Sequence, residues 1–239
     1  DGCDWDGLAG QLGERFGCEA SLAINANYAV IAVRAEAEAL VAALAGLDRN
    51  LTVMSVGHSI EIFKEIGAPA AIVDRFSIRG MRGTHIIGHT RMATESAVTT
   101  DGSHPFSTGM DLCLVHNGSL SNHNRLRGKL ERQGIEIRTE NDSEVAAGYL
   151  MWRMLEGDTL ERALESALDD LDGFYTFAIG TADGFAVLRD PIACKPAVMA
   201  ETDDYVAFGS EYRAFADLPG IETARVWEPE PATVYFWER

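Results

Sequence analysis

Three short stretches of the 239-residue chain carry residue types that could do chemistry. In Gly88-His89-Thr90-Arg91-Met92-Ala93-Thr94, an arginine stands where a strand-like run gives way to a polar loop. A guanidinium is a rigid fork of donors suited to a carboxylate. Arg91 therefore either holds an anionic ligand or pairs an acidic neighbour in a structural bridge. In His116-Asn117-Gly118-Ser119-Leu120-Ser121-Asn122, an apolar run ends at Asn-Gly. The Asn117 amide and the Gly118 N–H are two donors able to converge on one oxygen, which is what an oxyanion hole requires. The same dipeptide also makes an ordinary turn. In Thr139-Glu140-Asn141-Asp142-Ser143-Glu144, a helix begins. Asp142 is either a helix cap, like Asn141 beside it, or a fixed anion for a ligand's ammonium.

The histidines and cysteines carry weaker signals. The histidines are His58, His85, His89, His104, His116 and His123. His85 and His89 have i,i+4 spacing, but in a strand-like run that spacing does not put two rings on one helix face. No H-E-x-x-H occurs, and no metal is expected. The cysteines Cys3, Cys18, Cys113 and Cys194 form no C-x-x-C pair. Cys194 beside Lys195, within Asp190–Pro196, is either an activated thiol or one in a plain turn. A disulfide framework is not expected at this length and density, which fits a reducing, cytoplasmic location.

The elements that must position these residues follow from periodicity and turn signals. A helix is expected over 4–16, with Trp5, Leu8, Leu12 and Phe16 at helical spacing. Strands are expected over 19–25 and 28–34, around Asn25-Ala26-Asn27, then a helix over 36–47 and a strand over 51–56. A helix over 60–66 ends near Gly67, with Pro69 beyond, and 84–90 is strand-like. Next come a strand over 111–116 and helices over 122–133, 142–156 and about 160–171. The second of these has Val145, Tyr149, Trp152 and Leu155 along one stripe; Thr159 caps the third. Strands over 174–181, 185–189, 197–201, 205–210 and 234–237 complete the chain. Helices between antiparallel hairpins make this an α+β chain with helices layered on sheets.

Composition narrows the function. Lys and Arg number 20 against 37 Asp and Glu, a net charge of −17. So acidic a chain is a poor general binder of nucleic acid. It is repelled by anionic membrane surfaces, and no apolar run is long enough to span a bilayer. Hydrophobic residues, Met and Cys included, reach 46%, enough for a packed core.

Taken together and in order, Gly88–Thr94, His116–Asn122, Thr139–Glu144, Arg189–Pro196 and Gly209-Ser210-Glu211 resemble the class II glutamine amidotransferase domain, an N-terminal-nucleophile hydrolase. The likeness covers roughly residues 54–239. Met54-Ser55-Val56-Gly57, Arg82-Gly83-Thr84-His85, the 95–100 run and His104-Pro105-Phe106 look like the amidotransferase subunit of N-methylglutamate synthase and GlxB-type proteins. The resemblance implies a four-layer αββα sandwich over 51–239, with residues 1–50 a small α+β insertion. It implies an enzyme that hydrolyses glutamine to glutamate and ammonia. Arg91 would hold the substrate α-carboxylate and Asp142 its α-ammonium, with Thr94 lining the same end of the pocket. Asn117 and Gly118 would form the oxyanion hole. The partners implied are L-glutamine or glutamate and synthase subunits resembling parts of glutamate synthase, in a hetero-oligomer. No nucleotide or flavin loop is visible, so no cofactor is expected in this chain, and FMN would sit in a partner.

The family nucleophile is a cysteine at the mature N-terminus, followed by Gly, whose own amine acts as base. Here Cys3 is followed by Asp4-Trp5-Asp6, and two residues precede it, so its nitrogen is an amide. The expectation is that about 50–70 residues at the front of the domain lie elsewhere, upstream in the same polypeptide or in a separate chain. The alternative is an inactive, amidotransferase-like binding or scaffold subunit of the same complex.

Overall fold

The computed structural model describes residues 3–48, 51–90, 98–107 and 109–238. The chain opens with helix α1 (Trp5–Phe16). The Asp4 carboxylate caps it through Gly7 N–H at 2.9 Å, and Leu8, Ala9 and Leu12 are its buried face. Strands β1 (Ser21–Asn25) and β2 (Tyr28–Ala32) form an antiparallel hairpin with Asn25 opposite Tyr28. Helix α2 (Ala37–Leu47) follows. All four elements fall where periodicity places them.

Residues 51–107 depart from expectation. No helix forms over 60–66, because the N–H groups that would start it are taken. The His58, Ser59 and Ile60 N–H groups all donate to the Asp111 carboxylate, at 2.8, 3.0 and 3.1 Å. Lys64 N–H donates to the Tyr28 hydroxyl at 3.1 Å. The helix in this stretch is instead α3 (Pro69–Arg75), which begins at Pro69, where a missing N–H costs nothing. The 51–56 run contributes a single bridge, Val56 to Met110, rather than a strand. Residues 84–90 form no ladder either, yet their exposure alternates. His85, Ile87 and His89 are half-buried, while Ile86 is 82% exposed. The period of two is present without a strand to pair with.

The larger sheet has the order β3-β4-β5-β9, all antiparallel: β3 (Leu112–Leu120), β4 (Gly173–Thr181), β5 (Gly184–Arg189) and β9 (Thr233–Glu238). Helices α4 (His123–Arg132), α5 (Asp142–Leu155) and α6 (Leu160–Asp170) lie between β3 and β4 in the chain, and α5 and α6 pack on the sheet. Val145, Ala146, Tyr149 and Leu150 of α5 are fully buried against Leu114, Phe177 and Ile179. The expected stripe on α5 breaks at its last turn: Trp152 is half-buried and Leu155 is 70% exposed. The Tyr149 hydroxyl donates to Asp170 at 2.6 Å and the Tyr175 hydroxyl to the Ala167 carbonyl at 3.1 Å, so both phenols enter the core with partners.

A second antiparallel sheet has the order β7-β6-β8: β6 (Val198–Glu201), β7 (Val206–Gly209) and β8 (Arg225–Trp227). It covers a small core of Ala200, Phe215 and Ile221. At three residues, β8 is too short to leave a periodic signal and was not expected. The architecture is the expected mixed one of antiparallel sheets with flanking helices.

Candidate functional site

Strand β3 does not stop at His116. It runs on to Leu120, with Asn117 opposite Thr176 and Gly118 opposite Tyr175. Asn-Gly is therefore no turn here but part of an edge strand. Close packing explains the glycine. A Cβ on Gly118 would collide with the Phe174 carbonyl and lie 2.7 Å from Tyr175 Cα, both backbone atoms of β4.

The pleat sorts the side chains of β3. Leu112, Leu114 and Leu120 join the core under α5, and His116 faces the same way. Asn117 leaves on the opposite face, half-buried, in a cross-strand row with Thr176 and Arg189. Its amide makes no hydrogen bond with the described residues. On that same face Gly180 is approached by His85 and Ile87.

Backbone groups alternate along a strand as side chains do. Leu114 N–H and C=O bond to Phe106 at 2.8 and 2.9 Å, away from β4. Leu120 N–H also points away from β4 and donates to Asp142 Oδ2 at 2.8 Å. Gly118, in phase with both, presents its N–H to the same open edge. Asp142 is the first residue of α5, where the helix dipole favours a carboxylate. The cap itself is Asn141, whose side chain accepts from Ser143 N–H at 2.9 Å and donates to the Gly102 carbonyl at 3.0 Å.

One residue on, the Ser143 hydroxyl joins two buried histidines. It lies 2.9 Å from His104 Nε2 and 2.9 Å from His116 Nδ1. A hydroxyl has one proton to donate, and Asp142 Oδ1, 3.5 Å away, stands beside the two rings as a further acceptor for it. His116 Nδ1 is also 3.8 Å from Asp142 Oδ1. The His89 ring lies against His104, centroids 4.3 Å apart. Glu144 braces the approach to α5. Its carboxylate accepts from Arg138 N–H at 3.0 Å, and from Thr139 N–H and hydroxyl at 2.6 Å each.

The structure thus sets Gly118 and Asp142 along one edge of β3, with the Asn117 side chain leaving on the sheet face away from α5. Arg91 and Thr94 lie outside the described residues, although His89, two positions before Arg91, reaches the cluster. Sequence reasoning missed Ser143 and the buried Thr176, whose hydroxyl meets no hydrogen-bond partner among the described residues. Ser143 left one signal, its place beside Asp142 in a helix's first turn. Thr176 left none, because its proximity to Asn117 is set by strand register alone. The histidines meet through a hydroxyl and a ring contact. Among the described residues no group of three or more His, Cys, Asp and Glu is placed to hold a metal ion.

The cysteines are accounted for differently. Burial pushes the Cys113 thiol up to about 11, despite the hydrogen bond from Gly180. Cys194 is exposed, and Lys195 lies over the Phe174 ring at 5.1 Å. Its loop is gripped by Arg189, which donates to the Ala193 and Lys195 carbonyls at 2.9 and 3.1 Å.

Known proteins carry the same arrangement of sequence. The family model of the glutamine amidotransferase domain matches residues 89–217, which span the histidine cluster, β3 and α5. The glutamine amidotransferase-like protein GlxB of Rhizobium meliloti is 62% identical over 93% of this chain and 74% of its own length. A protein of Methanothermobacter thermautotrophicus named a putative glutamine amidotransferase is 35% identical over 79% of this chain and 62% of its own. A solved structure described as the allosteric regulatory enzyme of purine biosynthesis superposes with a TM-score of 0.59 at 28% identity. That superposition covers 70% of this chain and 36% of that one. With the family model matched over more than half its length and GlxB so similar, the chain belongs to the class II glutamine amidotransferases, of N-terminal-nucleophile hydrolase fold, and is closely related to the GlxB-type proteins.

Proposed function

We propose that this chain is the glutaminase subunit of a multi-subunit, cytoplasmic synthase. It hydrolyses L-glutamine to glutamate and ammonia and delivers the ammonia to partner subunits resembling parts of glutamate synthase. The subgroup likeness supports N-methylglutamate synthase as the specific assembly in this reading, with FMN in a partner and no cofactor in this chain. The division into an insertion over 1–50 and a main domain over 51–239 belongs to the same reading.

One observation carries it: the open edge of β3 aligns the Gly118 N–H with the Asp142 carboxylate at Leu120 N–H. Two residues of strand separate them, about 7 Å. An oxyanion donor and a fixed anion on one edge can hold the amide end and the ammonium end of one small amino acid. Asp142 Oδ2 is engaged by Leu120 N–H, which fixes the carboxylate, while Oδ1 faces His116 and Ser143. Arg91 would take the substrate carboxylate, and Thr94 would line that end. Attack on the side-chain amide carbon places negative charge on its oxygen. The Gly118 N–H and the Asn117 amide would stabilise that charge without reorganisation.

The second reading, a binding or scaffold subunit, draws on the thiols. Cys113 is buried with a raised pKa, and Cys3 as it stands here has an amide nitrogen. The assembly isolated from its source decides between them. Glutamate release from glutamine supports the enzyme, and its absence supports the scaffold. An electrophilic glutamine analogue followed by peptide mass mapping then locates the nucleophile. In the active assembly, Asn117→Ala should lower kcat about 10²–10³-fold with KM little changed. Arg91→Ala should mainly raise KM. Small, equal effects from both would place the site elsewhere.

A further inference from the structure

We propose that the cavity between α2 and the N-terminal end of α5 is a ligand site that takes a small monocarboxylate with an apolar tail. The cavity holds about 340 Å³. None of Asn117, Gly118 and Asp142 lines it, so the proposal stands apart from the glutaminase reading. One wall is apolar, made by Val41 and Leu44 of α2 with Leu51 and Phe106. The polar end is Lys64, with Arg138 beside it.

Lys64 is 6% exposed. Among the described residues its ammonium makes one hydrogen bond, to the Asp101 carbonyl at 3.1 Å, and it rests over the Phe106 ring at 4.2 Å. No described carboxylate forms an ion pair with it. Glu144 stands in the same lining, but its oxygens already serve the three donors from Arg138 and Thr139. An ammonium has three N–H donors, so two remain. A buried ammonium without a direct ion pair is costly. Burial lowers the Lys64 pKa to about 8; Glu144 and Asp101 oppose that shift and Arg138 adds to it. A ligand carboxylate supplies acceptors for the remaining N–H groups and a direct ion pair.

The site is built, not incidental. The Tyr28 hydroxyl donates to the Lys64 carbonyl at 2.7 Å and accepts from its N–H at 3.1 Å, clamping the backbone that carries the ammonium. Tyr28 and the α2 wall both come from the first 48 residues, which thereby furnish the apolar wall and fix the cation. Charge sets the ligand class. The carboxylates of Asp101, Glu136 and Glu144 outnumber the cations Lys64 and Arg138 in the lining, so a dianion such as phosphate is disfavoured more strongly than a single carboxylate placed directly on the Lys64 ammonium.

Calorimetric titration of the protein with 4-methylpentanoate at pH 7 tests this, with leucine and inorganic phosphate in parallel. The expected result is binding of 4-methylpentanoate that weakens at least about tenfold in Lys64→Met, which removes the charge. It should weaken as much in Leu44→Trp, which fills the cavity. Lys64→Met also removes a buried unpaired ammonium, so its unfolding midpoint should not fall, which separates lost binding from lost folding. No binding at millimolar concentration, unchanged affinity in both variants, or a preference for phosphate would overturn the proposal. So would binding of leucine with its des-amino analogue inert, which would mark a site for zwitterions.

Discussion

Around β3, β4 and α5, side chain after side chain is removed from water: Leu114, Val145, Leu150, Phe177 and Ile179 are all fully buried. Residues 51–107 are held in another way. Their described residues form one seven-residue helix and one short 3-10 turn, and their path is set by polar contacts. The Asp111 carboxylate gathers three consecutive N–H groups, Tyr28 clamps Lys64, and the Thr100 hydroxyl reaches Glu65 at 3.3 Å. The difference teaches where each kind of residue can sit. A frame held by many small apolar contacts fixes the Gly118 N–H and Asp142 by geometry. A stretch pinned by a few hydrogen bonds can carry His104 and the buried ammonium of Lys64, because its backbone follows those contacts rather than a repeat. The two regions meet at Asp111, immediately before β3.

The sharpest way to break the comparison is Gly118→Ala. If the sheet is as rigid as its burial implies, the backbone atoms of Phe174 and Tyr175 cannot make room for a methyl group. The expected cost is about 3 kcal/mol or more, at the top of the range for overpacked cores, read as a drop in the urea midpoint with unchanged slope. An unchanged midpoint with lost glutaminase activity would show that β3 and β4 can part, and that the glycine serves the proposed oxyanion hole rather than the packing.

Asp111→Asn probes the other region. The side chain keeps its shape but loses a charge and half its acceptor capacity toward His58, Ser59 and Ile60. The expected loss is about 2–3 kcal/mol at pH 7, because hydrogen bonds to a charged group exceed neutral ones. The loss also depends on pH. Burial alone raises the Asp111 pKa, but the three backbone N–H groups and the Ser59 hydroxyl outweigh it and hold the carboxyl below its ordinary value. The folded state therefore binds this proton less readily than the unfolded state. Its contribution is complete above the unfolded carboxylate pKa, near 4, and fades as pH falls through the lower folded value. The gap between parent and variant should close below about pH 4. A gap that stays constant into acid would mean that packing, not charge, holds the turn.

The same contrast explains what the sequence made legible. The helices α1, α2, α4, α5 and α6 and the strands of the larger sheet announce themselves by period, because burial imposes period. The expected helix over 60–66 failed because its first N–H groups belong to a carboxylate some fifty residues away, and no local pattern records that partner. Residues 84–90 kept the alternation of a strand without the pairing, since alternation reports which side is buried and not which neighbour is bonded. Asn117, Gly118 and Asp142 were legible as residue types. The placing of Gly118 and Asp142 on one edge rests on the register of β3 with β4 and on a single bond from Leu120 N–H. Ser143 is a common cap-region residue until His104 and His116 arrive from two other segments.

The smallest effect is the most exacting test. Thr159→Ala removes one hydrogen bond from the burial-held region, that from Arg162 N–H to the Thr159 hydroxyl at 3.2 Å, at the start of α6. The bond is exposed, so water can replace the lost acceptor, and Leu160, Ala163, Leu164 and Ala167 still seat the helix on the core. The expected cost is about 1 kcal/mol, independent of pH between 3 and 8 because no charge is lost. Asp111→Asn also replaces one side chain, yet it should cost two to three times as much and respond to acid. The ratio between the two losses is the measurement that matters. A ratio near one would mean that residues 51–107 draw on the shared core as fully as α6 does. A ratio of two or more, collapsing in acid, ties the shape of that stretch to the ionised carboxylate beside the edge strand that carries Gly118.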